Sequence, residues 1–175
     1  LVVGKYIISE DGSTVPAAYL VADDQEVTVE YNKTAEVTFE NTEKTGSVKV
    51  VKTTEGNLNI ANIKFILSGT SDSGREINLE SLTDKNGIAN FTNIPVGKYT
   101  ISEDGSTVPA AYLVADKQNV TVTEAATAEI NIKNNEKTGT IKVHKTTEGN
   151  YNIANITFYL KGTSDSGLEI NVHAV

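Results

Sequence analysis

The sequence predicts an all-β protein folded as an antiparallel β-sandwich, and three observations carry that prediction. Apolar and polar residues alternate with a period of two over short runs, as in Ala61, Ile63, Phe65 and Leu67. Clusters of Gly, Pro, Asn and Asp separate those runs at the spacing of short strands joined by tight turns. No stretch shows a convincing amphipathic helical pattern.

Taken in order, Val3 to Glu10 is an expected strand with Tyr6, Ile8 and Glu10 on one face. Asp11 to Ala18, with Gly12 and Pro16, is a loop. Glu26 to Val29 and Ala35 to Asn41 are expected to form a hairpin around Tyr31-Asn32-Lys33, with Val37, Phe39 and Asn41 pointing inward. Ser47-Val48-Lys49-Val50-Val51-Lys52 is a strand, and Thr53 to Asn59 a turn. Ile60 to Ser68 and Glu76 to Leu82 are strands around the polar turn Gly69 to Gly74. Asp84-Lys85-Asn86-Gly87 is a hairpin signal leading into a short strand, Ile88 to Phe91. Lys98 to Glu103 follows Pro95 and Gly97, and a closing strand contains Ile130, Ile132 and Asn134. Seven or so short strands at this spacing suit a sandwich.

The chain repeats itself. A shift of 93 residues aligns residues 1–82 with 94–175 without a gap, and 56 of the 82 pairs are identical. Ser9 to Tyr19 recurs at Ser102 to Tyr112, Lys52 to Asn57 at Lys145 to Asn150, and Glu43 to Gly46 at Glu136 to Gly139. The expected organisation is therefore tandem repeats of 93 residues: 1–46 as the C-terminal half of a unit, 47–139 as a complete repeat, and 140–175 as the N-terminal half of another. The two half-units together lack the 11 residues corresponding to Thr83 to Asn93. No low-complexity linker separates the units, which implies close end-to-end packing.

Composition bounds the function. The net charge of −8 and the absence of a basic stripe argue against nucleic acid. There are no cysteines, so any covalent staple must use another chemistry. No apolar run approaches the roughly 20 residues of a membrane span, and the first residues lack a signal-peptide layout.

Alternation exposes an anomaly. Val48, Val50 and Lys52 share a face, so an amine points into the core. Tyr99 and Ile101 lead in the same way to Glu103, and Ile130 and Ile132 to Asn134. A buried ammonium must be paired, neutral or consumed by chemistry. Glu10, Asn41 and Lys145 repeat the trio across the two half-units.

The Val-Lys-Val-Val-Lys-Thr opening, Gly97 to Glu103, Pro109 to Tyr112 and Ile132-Lys133-Asn134 together resemble the B-type repeat domain of Gram-positive surface proteins and pilins. This is the CnaB-like or SpaA-like domain, a transthyretin-like (prealbumin-like) sandwich. The resemblance extends over the whole chain, although the Asp104 to Tyr112 loop is longer than the family's usual form. It implies a spontaneous isopeptide bond between Lys52 and Asn134 assisted by Glu103, and by repetition one between Lys145 and Asn41 assisted by Glu10. The alternative for the trio is a buried Lys52–Glu103 ion pair with Asn134 hydrogen-bonded nearby.

Other candidates are weaker. His144 and His173 are isolated. Asp72, Asp84 and Asn86 lack the twelve-residue pattern of a calcium loop and suit turns. Asn32, Asn90, Asn119 and Asn155 occupy Asn-X-Thr sequons. No nucleophilic triad, zinc cluster or phosphate loop is visible, so neither turnover catalysis nor a metal or cofactor is expected.

The expected function is a structural shaft or stalk module of an extracellular filament, pilus or adhesin, cell-surface or cell-wall attached. Its expected partners are neighbouring copies of the same repeat in a head-to-tail homopolymer, without membrane insertion. The two half-units would complete one another between chains or belong to one longer tandem chain. The rival is a surface module that binds a glycan or host protein through loops or a sheet edge. A hydrolase accessory domain would need an exposed aromatic platform, for which Tyr31 and Tyr151 are too scattered.

Overall fold

Alternating valine and lysine fix the register of the central strand, β3 (Thr45–Thr54). In the computed structural model, which describes residues 1–56 and 58–175, this strand buries Val48, Val50 and Lys52. Lys49 and Val51 lie half-buried on its other face. Asn57, which belongs to the expected 53–59 turn and the repeated Lys52–Asn57 motif, lies outside the described residues.

β3 runs between β6 (Ile88–Pro95) and β9 (Thr127–Asn134) in a three-stranded sheet of order β6-β3-β9. The facing sheet has the order β5-β4-β7-β8, formed by β4 (Lys64–Thr70), β5 (Glu76–Leu82), β7 (Gly97–Glu103) and β8 (Gln118–Val122). Val48, Val50, Phe91, Ile130 and Ile132 pack from the first sheet against Phe65, Leu67, Tyr99, Ile101 and Val122 from the second. Each such side chain stabilises the fold by about 1.5–3 kcal/mol when removed from water.

Pairing is antiparallel except between β3 and β9, which run parallel from Ser47 opposite Thr127 to Thr54 opposite Asn134. The exception is topological. These are the first and last strands of the unit, and the whole sandwich connects them instead of a hairpin. The chain therefore enters the unit at one end and leaves at the other.

Several strand limits differ from expectation: the first strand of the chain ends at Ile8 rather than Glu10, and the largest shifts are in β4 and β6. β4 begins at Lys64 rather than Ile60, because Asn59 Oδ1 accepts from Ala61 N at 2.8 Å and Asn62 takes a φ of 62°. That local turn competes with strand geometry. β6 continues to Pro95, beyond the expected end at Phe91. The hairpin before β6 forms as expected, with Asp84 Oδ1 accepting from Asn86 N at 2.8 Å and Ile88 N at 2.9 Å.

The flanking half-units are thinner. β1 (Gly4–Ile8) pairs with β2 (Gln25–Val29), and β10 (Phe158–Thr163) with β11 (Glu169–Ala174), each pair forming a two-stranded sheet. This corrects the expected hairpin of 26–29 with 35–41, since β2 pairs with β1 and residues 33–42 form no strand. Residues 139–147, the counterpart of most of β3, likewise form none. In the complete unit the corresponding segments are bonded to each other. Among the described residues neither 33–42 nor 139–147 is paired in this way.

The units abut directly. Lys44 N donates to Ala18 O at 2.8 Å on one side of the first junction, and Val96 N donates to Lys44 O at 2.9 Å on the other. Glu43 accepts from Ser73 Oγ and pairs with Arg75 at 2.9 Å. At the second junction Lys137 N donates to Ala111 O at 2.8 Å, and Glu136 accepts from the buried Ser166 hydroxyl.

Candidate functional site

The trio read from strand alternation meets inside the complete unit. Lys52 on β3, Glu103 on β7 and Asn134 on β9 are all buried, Lys52 completely. Lys52 stands opposite Ile132 and Asn134 opposite Thr54, so Lys52 and Asn134 are diagonal neighbours on the inner face of two parallel strands. Glu103 reaches them from the facing sheet, where it pairs with Phe65.

Lys52 Nζ lies 3.6 Å from Glu103 Oε1 and donates to Thr53 O at 2.6 Å. Glu103 Oε2 accepts from Asn134 Nδ2 at 2.7 Å and from Ala115 N at 2.9 Å. Glu103 Oε1 and Asn134 Oδ1 are buried without a hydrogen-bond partner. Burial holds the Lys52 pKa below the usual lysine range, and attraction to Glu103 only partly offsets it. A buried amine inclined to lose its proton, a carboxylate beside it and a carboxamide on that carboxylate are the parts needed to join amine and carboxamide.

Two backbone features place the amine. Lys52 N donates to Gly87 O at 2.8 Å, tying the lysine to the Asp84–Gly87 turn. Gly87 has a φ of 75°, and a Cβ there would lie 2.5 Å from Lys52 O. Only glycine fits that approach without displacement.

Sequence reasoning missed the lid over the site. Asp104 folds its loop by accepting from Ser106 N at 3.0 Å, and Thr107 Oγ1 accepts from Lys64 N at 2.9 Å. The fully buried Tyr112 donates its hydroxyl to Glu55 O, and Ala115 N then reaches Glu103. The signal available was the repetition of this loop at Asp11 to Tyr19.

Of the second trio, the structure brings together two members. Glu10 Oε2 accepts from Asn41 Nδ2 at 2.6 Å and from Ala22 N at 2.9 Å, the same arrangement as around Glu103. Lys145 is elsewhere, exposed and donating to Thr146 O at 2.6 Å. His144 is exposed, and His173 packs its ring 6.0 Å from that of Tyr159. Asp84 serves its turn, and among the described residues no cluster of three or more His, Cys, Asp or Glu could hold a metal. No helix among the described residues is long and apolar enough to cross a membrane.

Comparison with known proteins bears on the fold that holds this site. The model of the SpaA prealbumin-like fold domain matches residues 46–136, which contain the whole trio. The fold is similar to that of the Bacillus anthracis TIE protein, with a TM-score of 0.62 and 22% identity over 98% of this chain and 32% of that one. The chain thus spans about a third of that protein's length. Weaker likenesses include the Streptococcus agalactiae minor pilin GBS52, with a TM-score of 0.46 and 14% identity over 81% of this chain and 85% of that one. Another is the Bacillus cereus major pilin BcpA, with a TM-score of 0.45 and 20% identity over 70% of this chain and 40% of that one. No curated protein sequence matches. The chain belongs to the SpaA family of prealbumin-like fold domains.

Proposed function

We propose that the complete unit is a structural shaft module of an extracellular, cell-surface filament or pilus, locked by an isopeptide bond between Lys52 and Asn134. One observation carries the reading: a fully buried lysine on the first strand shares a carboxylate with a buried asparagine on the last strand. A buried ion pair is a poor source of stability, because desolvation of both charges offsets their attraction. The same three groups suit a single-turnover condensation.

The chemistry runs through this chain's own residues. Lys52 passes a proton to Glu103 Oε1, and the neutral amine attacks Asn134 Cγ. The protonated Oε1 then donates to the carboxamide oxygen, Asn134 Oδ1, and polarises it; both atoms are otherwise buried without a partner. The new C–N bond forms as the Cγ–Nδ2 bond breaks: Glu103 gives its proton to the departing nitrogen, which leaves as ammonia, and takes up the second proton that the attacking nitrogen sheds as it becomes an amide. Strand geometry supplies the proximity. The reaction occurs once per unit, so the protein is not a turnover enzyme and needs no cofactor.

Support for the filament comes from the direct junctions at Glu43 and Glu136, and from chain entry and exit at opposite ends of the unit. These features suit units stacked head to tail, with copies of the same repeat as partners. Intact mass tests the bond: the unit weighs about 17 Da less than its sequence, one ammonia lost. Full sequence mass, together with separate tryptic peptides containing Lys52 and Asn134, overturns the reading.

A further inference from the structure

The loop between β7 and β8 does more than cover the trio. It leaves Glu103 directly and is tied to the chain just beyond each reacting residue. The buried Tyr112 donates its hydroxyl to Glu55 O, beyond Lys52 on the same run of chain. Leu113 N donates to Asn135 O at 2.9 Å, next to Asn134, and Lys137 N donates to Ala111 O at 2.8 Å. Glu55 N donates in turn to Asn134 O at 3.4 Å, so the two strand ends and the loop form one hydrogen-bonded block. At its start the loop is fixed to β4, where Asp104 N donates to Lys64 O at 2.9 Å and Thr107 Oγ1 accepts from Lys64 N at 2.9 Å. Held in this way, it aims one backbone amide, Ala115 N, at Glu103 Oε2 from 2.9 Å.

That amide makes the two oxygens of Glu103 unequal. A carboxylate oxygen offers two lone pairs to donors. On Oε2 one is taken by Ala115 N and the other by Asn134 Nδ2 at 2.7 Å. Oε1 has no hydrogen-bond partner and lies 3.6 Å from Lys52 Nζ. A proton taken from the amine therefore has room on Oε1 and not on Oε2. The last torsion of a glutamate is broad and roughly two-fold, so the side chain alone does not choose between its oxygens. A donor fixed to the backbone does. Asn134 Nδ2 cannot keep that role through the reaction, because it belongs to the group that departs.

The arrangement is built twice. Around Glu10, Ala22 N donates to Oε2 at 2.9 Å and Asn41 Nδ2 to the same oxygen at 2.6 Å. Leu20 N donates to Thr42 O at 2.9 Å, as Leu113 N does to Asn135 O. The sequence Pro-Ala-Ala-Tyr-Leu-Val-Ala recurs with the geometry, at 16–22 and at 109–115. An alanine ends each copy and brings no polar side chain, so what the loop delivers is the main-chain N–H.

We infer that the Ala115 N–H is a positioning group for the condensation, holding Glu103 Oε2 so that Oε1 alone carries protons between Lys52, the carboxamide and the departing ammonia. The inference rests on the reaction proposed for the complete unit and assigns its proton carrier to one oxygen. Lys52 Nζ bonds to Asn134 Cγ, the Cγ–Nδ2 bond breaks and one ammonia leaves, while the Ala115 N–H is neither given up nor consumed. It stays on Oε2 after Nδ2 has gone and keeps the carboxyl group aligned for the second proton.

The test dilutes the 175-residue chain from urea into buffer and follows the loss of about 17 Da by intact mass. Tryptic peptides assign the loss to Lys52 and Asn134, and circular dichroism reports the sandwich. Ala115→Pro removes the N–H and slows the loss roughly 10- to 100-fold, the usual effect of misplacing a reacting group. Ala115→Gly, the conservative variant that keeps the N–H, restores the rate. An ester in place of the Val114–Ala115 peptide bond removes the same N–H without a proline ring and slows the reaction as Ala115→Pro does; it decides the question where Ala115→Pro does not fold. Wild-type rates without the N–H overturn the inference and leave the proposed function standing. Equal slowing in Ala115→Gly, or a normal rate in the ester beside a slow Ala115→Pro, assigns the effect to loop packing and also overturns it. Full sequence mass in the wild type overturns both readings.

Discussion

Lys52 Nζ sits 3.6 Å from Glu103 Oε1 with no exposed surface, and burial lowers its pKa. The sign of the pH effect follows. Only the neutral amine attacks, its fraction rises with pH, and a lowered pKa moves that rise to lower pH. Refolding unreacted chain across a pH series and following the mass loss therefore gives a rate that climbs with pH and levels off below about 10.4, the ordinary lysine value. Glu103→Gln and Glu103→Ala keep the sandwich and leave the mass unshifted, whereas Glu76→Ala, on the exposed β5 surface, reacts fully. Intact mass and circular dichroism check both outcomes, and full bonding in either Glu103 variant removes the glutamate from the proton path. The trio was legible in the sequence because inward alternation allows few polar residues, and three stood out. Ala115 N was not legible, since a backbone amide carries no sequence signature and reaches Glu103 only through the loop pinned by Asp104 and Tyr112.

At the level of elements, the Asp84–Gly87 turn acts on the site through Lys52. Gly87→Ala places a methyl group 2.5 Å from Lys52 O at a φ of 75°. We expect a loss of about 1–3 kcal/mol in urea unfolding of the unreacted chain, the usual cost of a strained backbone position. Bond formation slows with it, because β3 must shift to relieve the contact. Unchanged stability would mean that the turn moves independently of β3. Most strands of the complete unit were legible, since Val48 to Lys52, Phe65 to Leu67 and Tyr99 to Glu103 alternate cleanly. The failures have a common physical cause. Residues 35–41 carry the pattern of β9, yet a strand requires a neighbour, and period-two alternation says nothing about whether one is present. The parallel β3–β9 pair was equally hidden, because the direction of pairing is decided by connection and not by composition.

For the molecule as a whole, the proposed bond would close a loop that contains nearly the entire unit. Asn134→Ala, which keeps Lys52 and Glu103, removes stability on the order of 4 kcal/mol by the chain-entropy model for long closed loops. Thermal and denaturant unfolding measure it, and a loss near zero would show that the bond adds no constraint to the unfolded chain. Glu43→Ala deletes the acceptor of Ser73 and Arg75 at the first junction. It leaves the melting of the complete unit unchanged and broadens the range of inter-unit angles, as read by small-angle scattering. Parallel first and last strands also decide how the unit carries tension. In the proposed linked state a pull along the chain would arrive at Thr45, travel along β3 to Lys52, cross the side-chain amide to Asn134 and leave toward Glu136. Residues 53–133 lie off that line and bear none of it. Without the amide the same segment would lie in series and could spool out by roughly 270 Å at about 3.4 Å per residue. With it, the unit would behave as a link of nearly fixed length, and the proposed filament of such links would pass a tug along its length instead of absorbing it.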